Sequence, residues 1–514
     1  MNRHLSSLAT GALVLLLAGC STYTQTNQEA ATARRSGNAV DAAAKAARHA
    51  EKHPNDKDTV VFALEAGAAY RTLGLAQVPP TAPASPATGA AEAPIAPGAV
   101  EADRLLPYHD SIRYFARADE KIDAYEEQAR ISVSSGVVKA ITNPASAPYR
   151  GQTYDKVMAS TYQALNYLAV GEPEKARASF NKAYRRQEDA VAENASRIEK
   201  DQAKIAAARE GKTADEEGKE AGQGVDLERS QQDPKSQAAM EQLAASLDER
   251  IRAYGDYVNP FTVFADALFM MSCSTDRQEQ ERAAKQFVRV ASMAGDNPYL
   301  KEDAVLAEQL AAGQAALPRL TYVIFESGEA AHREEMIIPI PLFLFTNETL
   351  YTQLPLYRLQ YNDQFSQSAT VLAGAHQLST AEICNMDSVI ARDFKNGMTS
   401  MYVDAFLCAS TKALIQHALN KEAKKQGGSA GLAMMITGLV VNATTTRADT
   451  RSWQSLPKTF SYARVPTPED GMVTVTTADG MSKVVKVPEG TVSVVYAKQV
   501  QPGTPLLVDA FRLN

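Results

Sequence analysis

From residue 36 to about 317, apolar residues recur at three- and four-residue spacing in a background rich in Ala, Glu, Lys and Arg, the period of amphipathic helices. At Pro318 the period changes. Leu320, Tyr322 and Ile324, then Met336, Ile338, Ile340 and Leu342, alternate in the two-residue rhythm of half-buried strands, with Ser327-Gly328 between the two runs. Pro339 and Pro341 lack backbone donors and place their segment at a sheet edge. A further strand is predicted at 370–372, helices over 386–425 and 431–442, and strands again from Thr459 to the end. Ala478-Asp479-Gly480 reads as a hairpin turn between Val473–Val475 and Val484–Val487. The pattern predicts an α+β multidomain chain. Its N-terminal tetratricopeptide-like helical array spans 36–317, and its mostly antiparallel β domain spans 318–514 with a helical insert at about 386–445.

Within the helical half, Gly171, Ala176, Phe180 and Ala183, preceded by Tyr167, fall at the offsets of a tetratricopeptide repeat. There a glycine ends the first helix and small residues on the second let the pair approach closely. Gly37, Ala42, Ala46 and Pro54 repeat the offsets; Ser111, Phe115 and Ala118 resemble a second-helix signature, and Ala283 with Phe287 offers another. The competing reading is a generic amphipathic bundle whose alanines and aromatics line a core. Two insertions break the regularity. A Pro/Ala-rich stretch at 78–98 cannot continue a helix. A coiled-coil-like hairpin is predicted at about 174–256. Tyr184, Val191, Ile198 and Ile205 recur every seven residues on the way out, and Met240, Leu243, Leu247, Ile251 and Tyr254 at 3-4-4-3 on the way back. Its polar tip, 211–234, reads as disordered. Gln187, Asn194 and Asp201 make the outgoing seam partly polar, so it is either a partner surface or one side of a self-contained hairpin.

The chain opens with Arg3 and His4, an apolar run over 5–18, and Leu17-Ala18-Gly19-Cys20. The run is shorter than the roughly 20 residues that a bilayer core requires, and polar residues follow it from Ser21. It reads as a signal peptide, 1–19, with Cys20 as the lipid attachment residue and 20–35 as a tether. The segment resembles the lipobox of bacterial lipoproteins. That resemblance implies that Cys20 becomes the first mature residue, carrying a diacylglyceryl group and an acylated amine. Several acyl chains, at roughly 0.8 kcal/mol per buried CH₂, make such an attachment effectively permanent. Ser21, in place of the aspartate that retains such proteins in the inner membrane, implies the outer membrane, facing the periplasm.

Composition and chemistry narrow the function classes. The 514 residues carry a net charge of −7 without a Lys/Arg cluster, which argues against nucleic acid as a partner. After Cys20 three cysteines remain, Cys273, Cys384 and Cys408, and an odd number cannot all pair internally. The favoured reading is buried unpaired thiols behaving as small apolar residues; Cys384 and Cys408 are the pair if one forms. Gly427-Gly428-Ser429-Ala430-Gly431 fits a nucleophile-elbow string but follows a lysine-rich helix, whereas an elbow needs a strand. Gly211-Lys212-Thr213 resembles the end of a phosphate loop, yet Ala206 stands where the first glycine belongs. His332-Arg333-Glu334-Glu335 lacks the helical histidine spacing that seats zinc and reads as a solvated turn. His49 and His53 have that spacing but read as a solvated helix end before Pro54. The expectation is a non-enzymatic chain with no catalytic, cofactor-binding or metal-ligating residues.

Two stretches carry a closer resemblance. Val323-Ile324-Phe325-Glu326-Ser327-Gly328 leads to Arg333-Glu334-Glu335-Met336 and Pro339-Ile340-Pro341, and later comes Ala448-Asp449-Thr450-Arg451-Ser452-Trp453-Gln454-Ser455-Leu456-Pro457. Together they look like a family of uncharacterised bacterial lipoproteins that combine a lipobox, a tetratricopeptide-like front half and this C-terminal region. The likeness covers nearly the whole mature chain, except for the Pro/Ala loop and the hairpin tip. It implies a role in envelope assembly, since such proteins are sometimes encoded beside lipoproteins that activate penicillin-binding proteins. Physically, Asp449 and Arg451 beside Trp453, the only tryptophan, can form a buried charge-assisted lock. The motif either fixes the chain's return from helix into sheet or recognises a ligand. The expected function is a lipid-anchored periplasmic scaffold whose helical repeats present a concave surface to envelope proteins, including cell-wall synthesis machinery, with binding mapping to 36–317. The alternative is a peptidoglycan- or glycan-associated factor assisting a cell-wall synthase, and an enzyme of unknown class comes third.

Overall fold

The computed structural model describes residues 23–77, 97–134, 144–209, 213–214, 220–221, 229–230, 232–248, 252, 254–255, 257–343, 349–426 and 447–514. Cys20, the Pro/Ala loop up to residue 96, most of the hairpin tip, the glycine-serine string at 427–430 and the helix expected at 431–442 lie outside the described residues. The front half is helical: α1 (Tyr23–Thr26), α2 (Gln28–Arg35), α3 (Ala39–Lys52), α4 (Thr59–Ala76), α5 (Pro97–Ser134), α6 (Thr153–Ala169), α7 (Pro173–Arg209), α8 (Pro234–Asp248), α9 (Pro260–Cys273), α10 (Arg277–Met293) and α11 (Pro298–Ala311). Local chemistry sets several starts. Asn38, Asn259, Asp276 and Asn297 each accept a backbone N–H of the first turn, and Pro260 and Pro298 occupy first positions where no donor is needed.

Neighbouring helices pack in pairs at the offsets read from sequence. Gly171 takes φ +77° in the turn between α6 and α7, a conformation that a side chain resists. Ala176, Phe180 and Ala183 are buried on α7, as are Ser111, Phe115 and Ala118 on α5 and Ala283 and Phe287 on α10. Gly67 on α4 lets the Phe115 ring in so closely that a Cβ there would stand 2.7 Å from it.

The back half forms a five-stranded sheet in the order β13-β12-β3-β9-β8 and a four-stranded sheet in the order β11-β10-β6-β7. The strands are β3 (Leu320–Ser327), β6 (Ala369–Ala373), β7 (His376–Ser379), β8 (Ala381–Asn385), β9 (Thr459–Pro466), β10 (Met472–Thr477), β11 (Ser482–Lys486), β12 (Val492–Gln499) and β13 (Leu507–Arg512). All of these pairings are antiparallel except β3 with β12, which run parallel as central neighbours. A separate hairpin, β4 (His332–Phe343) with β5 (Thr349–Gln360), contains Pro339 and Pro341, both at an edge as expected. Helix α12 (Met386–Gln426) is the helical insert. The short pair Thr213–Ala214 and Glu220–Ala221 makes up β1 and β2.

The layers differ from the expected arrangement in ways that bear on function. Every residue of β3 and β12 is buried, so these strands are not half-buried. One sheet face, with Tyr322, Tyr462 and Tyr496, meets the helices: Phe264 of α9 lies 4.5 Å from Tyr462, and Phe261 stacks on Phe460 at 3.7 Å. From the other face Ser461 reaches Thr380 and Gln499 reaches Asp479, next to the buried Val371, Val473 and Val475 of the smaller sheet. Helices α4, α6 and α9 are therefore buried nearly all round between their partner helices and the sheet. The inner face expected to receive partners is covered by the chain's own strands. One apolar cluster runs from Tyr23 through both halves to Leu513, so the change of period at 318 is not a break in the core.

Two further expectations are corrected, and the reading of the cysteines as buried unpaired thiols holds for Cys384 and Cys408. Residues 23–35 are not a free tether: α1 and α2 bury Tyr23, Asn27, Ala30, Ala31 and Arg34. On the returning arm, Leu243 and Leu247 of α8 are buried against Ile340, Leu342, Leu354 and Leu356 of the hairpin and Phe394 and Phe406 of α12, rather than in a seam with α7. Cys273, Cys384 and Cys408 are all free thiols, with Cys384 and Cys408 buried. Among the described residues no helix is long and apolar enough to cross a membrane.

Candidate functional site

Asp449, Arg451 and Trp453 lie on the return segment 447–458, which has neither helix nor strand and runs between the helical layer and β3. Its backbone is held by Ala330 N–H donating to Leu456 O at 2.8 Å and Lys458 N–H to Ser327 O at 3.0 Å. The three side chains alternate along it and turn to the helical layer, each for its own reason. Arg451 forms a fork with Asp449, Nε to Oδ1 at 2.7 Å and Nη2 to Oδ2 at 2.8 Å. Its remaining nitrogen donates to Asp58 Oδ1 at 3.0 Å and Ala147 O at 2.8 Å, with the Tyr149 ring 5.4 Å away. Trp453 sits between Phe115 and Tyr162, with centroids at 5.6 and 5.9 Å, and donates from Nε1 to Ser455 Oγ at 2.8 Å. The motif thus clamps three segments distant in sequence, and its donors are spent on protein.

A second buried network continues the clamp. Gln454 N–H donates to Glu65 Oε1 at 2.7 Å, which also accepts from Tyr23 OH at 2.8 Å. Arg34 and Arg35 reach Glu329 from α2 at 2.6 and 2.7 Å. The first helices, α4, the return segment and the loop after β3 are tied at one point.

Beside the clamp lies a cavity of about 220 Å³. Arg333 and Tyr357 enter from the hairpin, Asp393, Gly397, Ser400 and Asp404 from α12, and Gln152 from the start of α6. The Arg333 guanidinium lies over the Tyr357 ring at 4.3 Å. Nearby, Asp155 is fully buried and accepts from Tyr149 OH and from Gln152 N–H at 2.9 Å, while its Oδ1 has no partner. Burial pushes its carboxyl up to about 6, against these hydrogen bonds. A folded pKa raised above the unfolded one means that neutral Asp155 contributes stability fully present below about pH 4 and lost as pH rises through about 6. Asp155→Asn keeps an acceptor for Tyr149 without the charge. Its stability relative to the parent, from urea unfolding, should rise by roughly 2–3 kcal/mol between pH 4 and pH 7. A difference that is flat with pH would show that the parent's carboxyl does not titrate there.

Sequence reasoning found the clamp through its Trp-Arg-Asp chemistry but missed Arg333. It reads His332-Arg333-Glu334-Glu335 as a solvated turn, whereas these residues begin β4 with Arg333 buried. Alternation puts Arg333 on the strand face opposite Met336, Ile338 and Ile340, which predicts exposure. What buries it is α12 and the return segment, which no local pattern announces. His49 and His53 stack on Phe62 at 5.7 and 5.0 Å, and His53 pairs with Asp56. Among the described residues no group of three His, Cys, Asp or Glu is placed to hold a metal ion. No protein-family model matches the chain, and no curated protein or solved structure matches it either.

Proposed function

We propose that this protein is a lipoprotein, anchored through Cys20 to the outer membrane and facing the periplasm, which acts as a non-enzymatic scaffold for envelope proteins. The observation that carries this reading is the position of the lipobox cysteine three residues ahead of Tyr23, whose ring is 4% exposed and whose hydroxyl is hydrogen-bonded to Glu65. Three residues span roughly 10 Å at most, so acyl chains on Cys20 hold the folded body against the headgroups rather than on a long leash. A scaffold of this shape receives partners on outward faces, since the inner helical face is occupied. The open groove between α10 and α11, about 570 Å³ with Ala284, Val288 and Ala311 in its floor, is one such face. Val288 is exposed there.

The continuous core means that removing residues 318–514 would unfold the rest, so surface substitution replaces deletion as the test. Cys20→Ala should yield an unprocessed or soluble species in cell fractionation. In the anchored protein, Val288→Glu should weaken crosslinks to envelope proteins without lowering Tm. If the Cys20→Ala protein still fractionates with the outer membrane, the anchor is elsewhere and the reading fails. The runner-up, a factor associated with peptidoglycan or glycan, is favoured on the peptidoglycan side by one observation, the cavity of about 220 Å³ at Arg333, which has room for a peptide end.

A further inference from the structure

We infer that the cavity at Arg333 is a binding site for the carboxylate of a small amino acid, either free or at the end of a peptide. The inference goes beyond the scaffold reading and needs neither lipidation nor a protein partner.

Its first support is an unspent cation. Arg333 is 8% exposed, yet its guanidinium makes no hydrogen bond or ion pair with any described residue. Its backbone N–H faces Ser452 Oγ at 3.5 Å, and its side chain lies over the Tyr357 ring, with Tyr149, Tyr154 and Asp449 near enough to favour its charge without bonding it. The neighbouring buried arginines end on carboxylates, Arg34 on Glu329 and Arg451 on Asp449 and Asp58. A guanidinium held out of bulk water with its donors unspent is costly unless an anion completes it. The ring beneath it fixes the plane of the fork, which suits a carboxylate received through two parallel bonds.

The second support is the charge and shape of the surrounding wall. Asp393, Gly397, Ser400 and Asp404 recur at helical spacing, so α12 presents two carboxylates and a hydroxyl along one stripe, with Gly397 leaving room between them. Asp449 adds a third carboxylate, already engaged by Arg451. With Asp449 neutralised by Arg451, the wall sets the Arg333 guanidinium opposite the α12 carboxylates Asp393 and Asp404, which disfavours a doubly charged anion such as phosphate. It accommodates a zwitterion, with the carboxylate on Arg333 and the ammonium toward the α12 stripe. Phe394, Met401, Pro355 and Ala405 offer apolar wall for a short side chain. The volume of about 220 Å³ holds roughly seven water-sized groups, enough for a small amino acid or one peptide end and too little for a sugar chain.

The test is calorimetric titration of the purified full-length protein in detergent with alanine, alanyl-alanine, alaninamide, N-acetylalanine and inorganic phosphate. Alanine or alanyl-alanine should bind with a dissociation constant on the order of 1 mM or tighter, and which of them does so identifies the source of the carboxylate. Alaninamide should not bind, N-acetylalanine should bind about tenfold more weakly, and phosphate should not compete. Arg333→Gln should lose roughly 10- to 100-fold in affinity while keeping its far-UV spectrum, because only the contact with the Tyr357 ring, and no internal hydrogen bond or ion pair, is broken. Arg333→Lys should not restore binding, since it lacks the fork. The inference is overturned if no carboxylate binds the parent, if alaninamide binds as well as alanine, if phosphate binds better than either, or if folded Arg333→Gln retains full affinity.

Discussion

Arg451→Ala is expected to lower the unfolding free energy by roughly 3–5 kcal/mol, the usual cost of breaking a buried ion pair from one side. The magnitude comes from what is left behind. Asp449 loses both bonds of the fork, Asp58 loses its 3.0 Å donor, and the carbonyl of Ala147 loses its 2.8 Å donor. The charges remain while their counter-charge does not. Arg451→Lys should recover little, because one ammonium cannot satisfy Asp449 in two places and reach Asp58 as well. Urea unfolding followed by far-UV circular dichroism and by Trp453 fluorescence measures this. Trp453 reports on the junction between Phe115 and Tyr162, whereas circular dichroism reports on the helices, so the two probes also test cooperativity. Coincident, weakened transitions are the expected result, since one apolar cluster joins both halves. If the helices melt separately from the Trp453 signal, the halves fold independently and the clamp is not what joins them.

The legible parts of this fold were those with local causes. Gly171, Ala176, Phe180 and Ala183 announce a helix pair because a left-handed turn and close helix approach restrict which residues fit. Val473–Val475, Ala478-Asp479-Gly480 and Val484–Val487 announce a hairpin, and β10 pairs with β11 across that turn. Asp449, Arg451 and Trp453 could be singled out by chemistry, although not their partners Asp58 and Ala147, which stand about three to four hundred residues earlier. What stayed hidden is where layers meet. Periodicity tells that Tyr322 and Ile324 share a face, but not that both faces of β3 are covered, because the second cover comes from β6 and β10. The same limit explains why the array's inner face looked free and why Arg333 looked solvated. Burial imposed by distant segments leaves no trace in a local pattern.

Arg34→Ala carries the second large effect, and it acts on the first described helices. Arg34 joins α2 to Glu329 at 2.6 Å and to Glu65 at 3.5 Å, both buried, so its loss should cost roughly 3–5 kcal/mol at neutral pH. Burial alone would push Glu329 up, but Arg34 and Arg35 outweigh it and hold the carboxyl below its ordinary value of 4.5. A depressed folded pKa gives stability that is present above the unfolded carboxylate's pKa and lost as pH falls through the folded one. Removing Arg34 removes that contribution and leaves a buried charge that protonation relieves. The destabilisation should therefore be largest at pH 7 and shrink at pH 4, read as the difference in urea midpoints between parent and variant. An equal difference at both values would mean that Glu329 does not carry the effect. In cells the consequence is geometric. Tyr23, Asn27 and Arg34 dock residues 23–35 on the body, and releasing them lengthens the connection to Cys20 from roughly 10 Å to roughly 50 Å. Cleavage within 23–35 by added protease in opened cells should rise in Arg34→Ala relative to the parent, because a docked helix must first open to be cut.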